Sequence, residues 1–171
     1  MHSFDELIDR SISFSLQNLD KLEKKILADL QTSASTILVK NLQMVSMQRV
    51  IMAVGILSIF EAHLQDRINC VDGFQEARKL LIAAGECSLD SRFGQFVAAI
   101  NVLKHGRGRS YDMLLSQFGN LPFRMKGPNE FLFFEGEVSE ISTLIQVDKK
   151  FILQCASIIR QVSVVVQQTY P

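Results

Sequence analysis

The chain has 171 residues, 47% of them apolar, with 18 basic and 18 acidic side chains that cancel to a formal net charge of zero. A chain of this length buries roughly 70% of the surface its unfolded form exposes, so it needs neither disulfides nor a structural metal to hold together. Its hydrophobicity and charge balance exclude global disorder, and zero net charge excludes a whole-molecule attraction to nucleic acid or acidic lipid, so any polyanion site must be local.

The first predicted helix runs from Phe4 to Leu30, where Phe4, Leu7, Ile8, Ile12, Leu16, Leu19, Leu22, Ile26 and Leu30 recur at steps of three or four. Asp9, Arg10, Asn18, Asp20, Lys24 and Lys25 give it a wet face. Thr32, Ser33 and Ser35 supply turn and capping chemistry before a long second helix from Thr36 to Ile68. The second half of that helix is apolar nearly all round, as expected of the central helix of a bundle. Its most apolar run is the eleven residues from Val50 to Phe60, short of the roughly 18 to 20 a membrane span needs. Met44, Met47 and Met52 keep helical spacing and are expected to pack in the core or between helices.

Asp72-Gly73 breaks the pattern, and a short third helix follows on Phe74, Ala77, Leu80, Leu81 and Ala84, closed by Gly85. A fourth begins near Ser88, buries Phe93, Phe96, Val97, Ile100 and Leu103, and stops at Gly106 or Gly108. Residues 120–128 carry two prolines and a glycine and read as loop. Residues 131–147 are rich in aromatic and β-branched side chains, suiting a small hairpin or an irregular cover. Asp148 then caps a last helix to about Gln168, with Phe151, Ile152, Cys155, Ile158, Ile159 and Val162 inward. No repeat or linker divides the sequence, so the expectation is a single all-α domain over residues 1–171, a four- or five-helix bundle with one irregular or β-hairpin excursion near 120–147.

Cys70, Cys87 and Cys155 are odd in number and widely spaced, which indicates neither a disulfide framework nor a zinc site and fits a reducing cytoplasm. The acidic, amphipathic start lacks the form of a secretory signal. His63, near Glu61 and Asp66, lacks the second histidine a helical metal site would need, and His2 is terminal. No metal or cofactor is indicated, and the dinucleotide, P-loop and nucleophile-elbow signatures do not occur.

One segment stands out, from Asn101 through Lys104, His105, Gly106, Arg107, Gly108, Arg109 and Ser110 to Tyr111. Asn101 and His105 sit one helical turn apart on one face. Between Arg92 and Lys126 there are six basic residues and one acidic one, a local excess of positive charge. Guanidinium groups match phosphate oxygens, glycine turns free backbone donors, Ser110 and Tyr111 offer hydroxyls, and a histidine among cations is kept neutral and able to accept a ribose proton. The structural alternative is that Lys and Arg complement a helix C-terminus and His105 caps its last carbonyls. The acidic stretch of Glu130, Glu135, Glu137, Glu140 and Asp148 is either a solvated rim or an internal counterion to the basic segment.

The helical layout with Asn101-x-x-x-His105 near the end of a late helix resembles the HEPN superfamily, helical bundles in which an arginine and a histidine four to six residues beyond it meet across a dimer and cut RNA without a metal. The resemblance implies a homodimer, RNA or nucleotide as ligand, and Asn101 and His105 as catalytic residues, while the chemistry of the basic segment gives Lys104, Arg107, Arg109, Ser110 and Tyr111 as the ligand-binding residues. Ile100 holds the arginine's place. The alternative function is a non-enzymatic helical module that engages a protein partner through its long apolar helix.

Overall fold

A computed structural model describes Phe4 to Tyr170, so His2 lies outside the described residues. The fold is all-α, with α1 (Phe4–Leu30), α2 (Thr36–Ile68), α3 (Gly73–Ala83), α4 (Cys87–His105), α5 (Arg109–Leu115) and α6 (Lys149–Thr169). The sequence suggests four or five helices, whereas the described residues form six. The additional one, α5, is a seven-residue helix that follows the α4 stop and has too few apolar positions to show a period.

Helix ends follow local chemistry. Asp72 caps α3 by accepting from the Gln75 N–H at 2.9 Å, and Asp148 caps α6 by accepting from the Phe151 N–H at 2.7 Å. Gly85, at φ +78°, closes α3 in a Schellman turn: its N–H donates to the Ile82 carbonyl and the Glu86 N–H to the Leu81 carbonyl. At the other end Gly73 is small because a Cβ there would lie 2.7 Å from the Glu61 carbonyl oxygen of α2.

Helix α2 is the hub, touching α1, α3, α4 and α6, and α6 returns to lie against α1. One apolar cluster draws on all six helices, with Phe60, Phe93, Phe96 and Phe151 fully buried at its centre. Phe96, Phe123 and Phe151 form a ring triad with centroids 5.0 to 5.4 Å apart, placing the 120s loop over α4 and α6. Polar ties reinforce the outer seams: Arg160 of α6 holds Asp9 of α1, Lys149 holds Asp20, and Arg49 of α2 makes a two-pronged pair with Glu23 of α1.

The segment between α5 and α6 is irregular. Among the described residues no strand forms there; a single antiparallel bridge joins Met125 to Ile145, flanked by Lys126 N–H to Leu144 carbonyl at 2.8 Å and Gln146 N–H to Arg124 carbonyl at 3.0 Å. A hairpin fails because the residues between are engaged by side chains instead: Glu140 accepts from the Phe133 and Phe134 N–H groups.

The outward side of α2 differs from expectation. Met44 and Met47 face solvent rather than core, and Ile51 and Ile59 are likewise exposed. Over its most apolar 18 residues α2 has a mean hydropathy of 1.5, so by length and composition it is long and apolar enough to cross a membrane, and 33% of that stretch is buried. His63 is stacked on Phe4 with ring centroids 4.1 Å apart.

Candidate functional site

The end of α4 presents Asn101, half-buried, followed by exposed Lys104 and His105. Gly106, at φ +74°, turns the chain out of the helix, and its N–H donates to the Val102 carbonyl at 2.8 Å. The His105 imidazole makes no hydrogen bond among the described residues, so it does not cap the α4 carbonyls. Arg107 lies in the turn, where its guanidinium donates to the Pro128 carbonyl at 3.0 Å and sits 5.6 Å over the Tyr111 ring. Arg109 opens α5, exposed, with Ser110 half-buried beside it.

Asn101 and Lys104 line an open groove of about 570 Å³ between α2, α3 and α4. Its other polar walls are Ser58 and Glu61 of α2, the α3 cap Asp72, and Gln75, Arg78 and Lys79 of α3. Arg78 is engaged by a two-pronged pair with Asp90 at 2.7 and 3.0 Å, crossing α4 at Gly94, where an added Cβ would stand 3.2 Å from the guanidinium carbon. Both the hydrogen bond and the charge of Asp90 raise the Arg78 pKa above its ordinary value. Lys79 pairs with Glu76 at 2.6 Å. Lys104 is therefore the cation of this groove without a carboxylate partner. His105 does not line the groove, whereas Asn101 and Lys104 both do.

One residue expected to bind ligand, Tyr111, and one counted in the basic segment, Lys126, are used internally. Tyr111 is 3% exposed and donates its hydroxyl to the Lys126 carbonyl at 3.1 Å, which corrects its expected role as a ligand donor. Lys126, counted in the local positive excess, is also 3% exposed; its ammonium lies 3.5 Å from Glu140 Oε2 and 4.4 Å from the Phe133 ring centroid. Arg124 is laid over the Phe134 ring at 4.4 Å. A linear charge count cannot register such burial, since long side chains can cover apolar surface or enter it.

The acidic stretch mostly organises its own connector. Glu130 accepts from the Gly127 N–H, Asp148 caps α6, and Glu137 accepts from the Ser139 hydroxyl and N–H, which hold its carboxyl below the ordinary range. Neutralisation of the basic segment is confined to Lys126. Lys104, Arg107 and Arg109 have no ion-pair partner among the described residues, while Arg49, Arg78, Lys79, Lys126, Lys149 and Arg160 all do. Ile100, in the place of the nuclease arginine, is 3% exposed and belongs to the apolar core. No group of three or more His, Cys, Asp or Glu side chains that could hold a metal occurs among the described residues.

Sequence reasoning passed over a second cavity, of about 410 Å³, between the 118–125 loop and the start of α6. Arg124, Lys150 and Gln154 line it, and the Gln154 Oε1 is buried without a hydrogen-bond partner. Its residues lie far apart in sequence, with no local motif to mark them. No family model, curated protein or solved structure matches this chain.

Proposed function

We propose that the edge formed by the end of α4 and the α4–α5 turn binds the phosphate groups of RNA or a nucleotide. The observation that carries this reading is that Lys104, Arg107 and Arg109, all exposed, fall within six residues at the end of α4 and the turn after it, and none has a carboxylate partner among the described residues. Exposed guanidinium and ammonium groups in one turn attract phosphate oxygens. Asn101, in the groove beside Lys104, offers both a donor and an acceptor to a base or ribose edge. Ser110 is the remaining hydroxyl, since Tyr111 is engaged.

Binding without turnover fits this edge best. An HEPN-like, metal-independent ribonuclease with Asn101 and His105 as catalytic residues needs a guanidinium on the scissile phosphate, and Ile100 puts an alkyl group into the core there. In a homodimer Arg107 or Arg109 of either protomer would have to take over. A second reading, a non-enzymatic protein-interaction module, is favoured by the solvent-facing apolar side of α2.

The test is fluorescence anisotropy with a labelled single-stranded RNA 12-mer over a salt series. Each phosphate contact contributes about 0.7 to the slope of log K against log salt. Lys104→Ala, Arg107→Ala and Arg109→Ala should each flatten the slope by about that much, and the recovered RNA should be intact. Absent or salt-independent binding overturns the reading; a cyclic-phosphate product that disappears in His105→Ala establishes the ribonuclease instead.

A further inference from the structure

We infer that α2 pairs antiparallel with the α2 of a second copy of this chain, through a charge-free stripe on its outer side. Steps of three and four along α2 trace Ile37, Lys40, Met44, Met47, Ile51, Gly55, Ser58, Ala62 and Asp66, with Gln48 and Ile59 alongside. All are exposed except the half-buried Gly55. Between Lys40 and Asp66 the stripe holds no charged residue.

Residues covered only by water at such spacing are ordinarily polar, because the outer face of a soluble helix gains nothing from Ile and Met. Here Ile37, Met44, Met47, Ile51 and Ile59, together with Phe14 of α1, are between 44% and 70% open. Phe14 and Ile51 line one shallow groove between α1 and α2, together with Leu19 and Met52 and the polar Ser15, Asn18 and Gln48. Taking roughly 200 Å² for a large side chain fully open, Phe14 and the five open side chains of α2 leave about 700 Å² uncovered. That exceeds the largest patch usual on a monomer and approaches the about 800 Å² per partner of a stable interface.

The stripe is complementary to itself when reversed. A two-fold axis at the level of residue 53 sets Ile51 opposite the second copy's Gly55, Met44 opposite Ala62, Met47 opposite Ile59, and Gln48 opposite Ser58. Ile51 and Met44 thus face the small Gly55 and Ala62, Met47 and Ile59 make an apolar pair, and each contact occurs twice, as in an isologous interface. The same axis brings Lys40 opposite Asp66, twice by symmetry, and neither has an ion-pair partner within its own chain among the described residues. Gly55 is the hole: a Cβ added there meets nothing within 4 Å in the single chain, so its smallness is not explained by intrachain packing. A glycine inside a helix costs about 0.5–1 kcal/mol relative to alanine, and close approach of another backbone is a reason to keep it. Opposite charges at the two ends favour a reversed second copy over an anionic bilayer, which would attract Lys40 and repel Asp66.

The pairing does not depend on phosphate binding. Ser58, however, lies both on the stripe and in the Asn101 groove, so a second copy would raise one rim of that groove.

Sedimentation equilibrium over a hundredfold range of concentration around 10 μM tests it. The parent chain should be a dimer that dissociates on dilution. Gly55→Phe should weaken association at least tenfold while the circular dichroism and melting temperature match a Gly55→Ala control. Lys40→Glu should weaken it about tenfold, since two symmetric pairs are lost, and adding Asp66→Lys should restore it. A monomer at the highest concentration overturns the inference, as does a dimer indifferent to Gly55→Phe, a charge swap without rescue, or a monomer that floats with phosphatidylcholine–phosphatidylserine vesicles.

Discussion

Replacing Glu140 by alanine should be among the most damaging changes in the connector between α5 and α6. Its carboxylate lies 3.5 Å from the Lys126 ammonium and accepts the N–H groups of Phe133 at 2.8 Å and Phe134 at 2.6 Å. Alanine leaves an ammonium 3% exposed, facing only the Phe133 ring, and removes the acceptor of a half-buried N–H. Breaking a buried pair from one side costs about 3–5 kcal/mol and an orphaned amide adds about 1 kcal/mol, while the ring contact is present before and after the change and offsets neither. The net expectation is a loss of about 4–6 kcal/mol. Lys126→Met should cost much less, because the carboxylate keeps its two N–H donors. Lys126→Met combined with Glu140→Gln should recover most of the Glu140→Ala loss. Urea titration at matched slope measures all three. A Glu140→Ala variant within about 1 kcal/mol of the parent, or a double variant no more stable than that single one, would refute the account of Lys126 as an internal cation.

Two further outcomes follow from titratable groups. The hydrogen bond from Lys149 holds the Asp20 pKa below its ordinary value, with the Lys149 and Arg49 charges adding to it against a burial effect that raises it. A depressed folded value means stability is present above the unfolded pKa and lost as pH falls through the folded one. The melting temperature of Asp20→Asn should therefore fall less steeply below about pH 4 than that of the parent, and parallel curves would refute the pairing. Burial pushes the Cys155 and Cys70 thiols up, most strongly Cys155, while Cys87 is exposed. A thiol reagent should label Cys87 fast, Cys70 slowly and Cys155 only in denaturant; prompt labelling of all three would contradict the α6 packing.

The helical framework was legible because its signals are local. Periodic apolar positions set the extents of α1 and α2, Asp148 announces α6, and Gly85 and Gly106 mark stops that the backbone realises at positive φ. The short α5 carries no comparable period. At the candidate site, the α4 segment was visible as residues, but the burial of Tyr111 and Lys126 was not, since it depends on Glu140 and Phe133 folding back from later in the chain. The exposed stripe of α2 escaped for a different reason. A helix apolar on all sides has the same sequence pattern whether its outer side meets this chain's own core or something else.

The closure of α6 onto α1 has a consequence during synthesis. More than a hundred residues separate Leu30 from Lys149, and at about 5–20 residues per second the ribosome takes on the order of 10 s to make them. Through that interval Ile8, Ile12 and Leu16 have only α2 to lean on. The nascent hairpin of α1 and α2 is therefore the stage at which a chaperone would find this protein most adhesive.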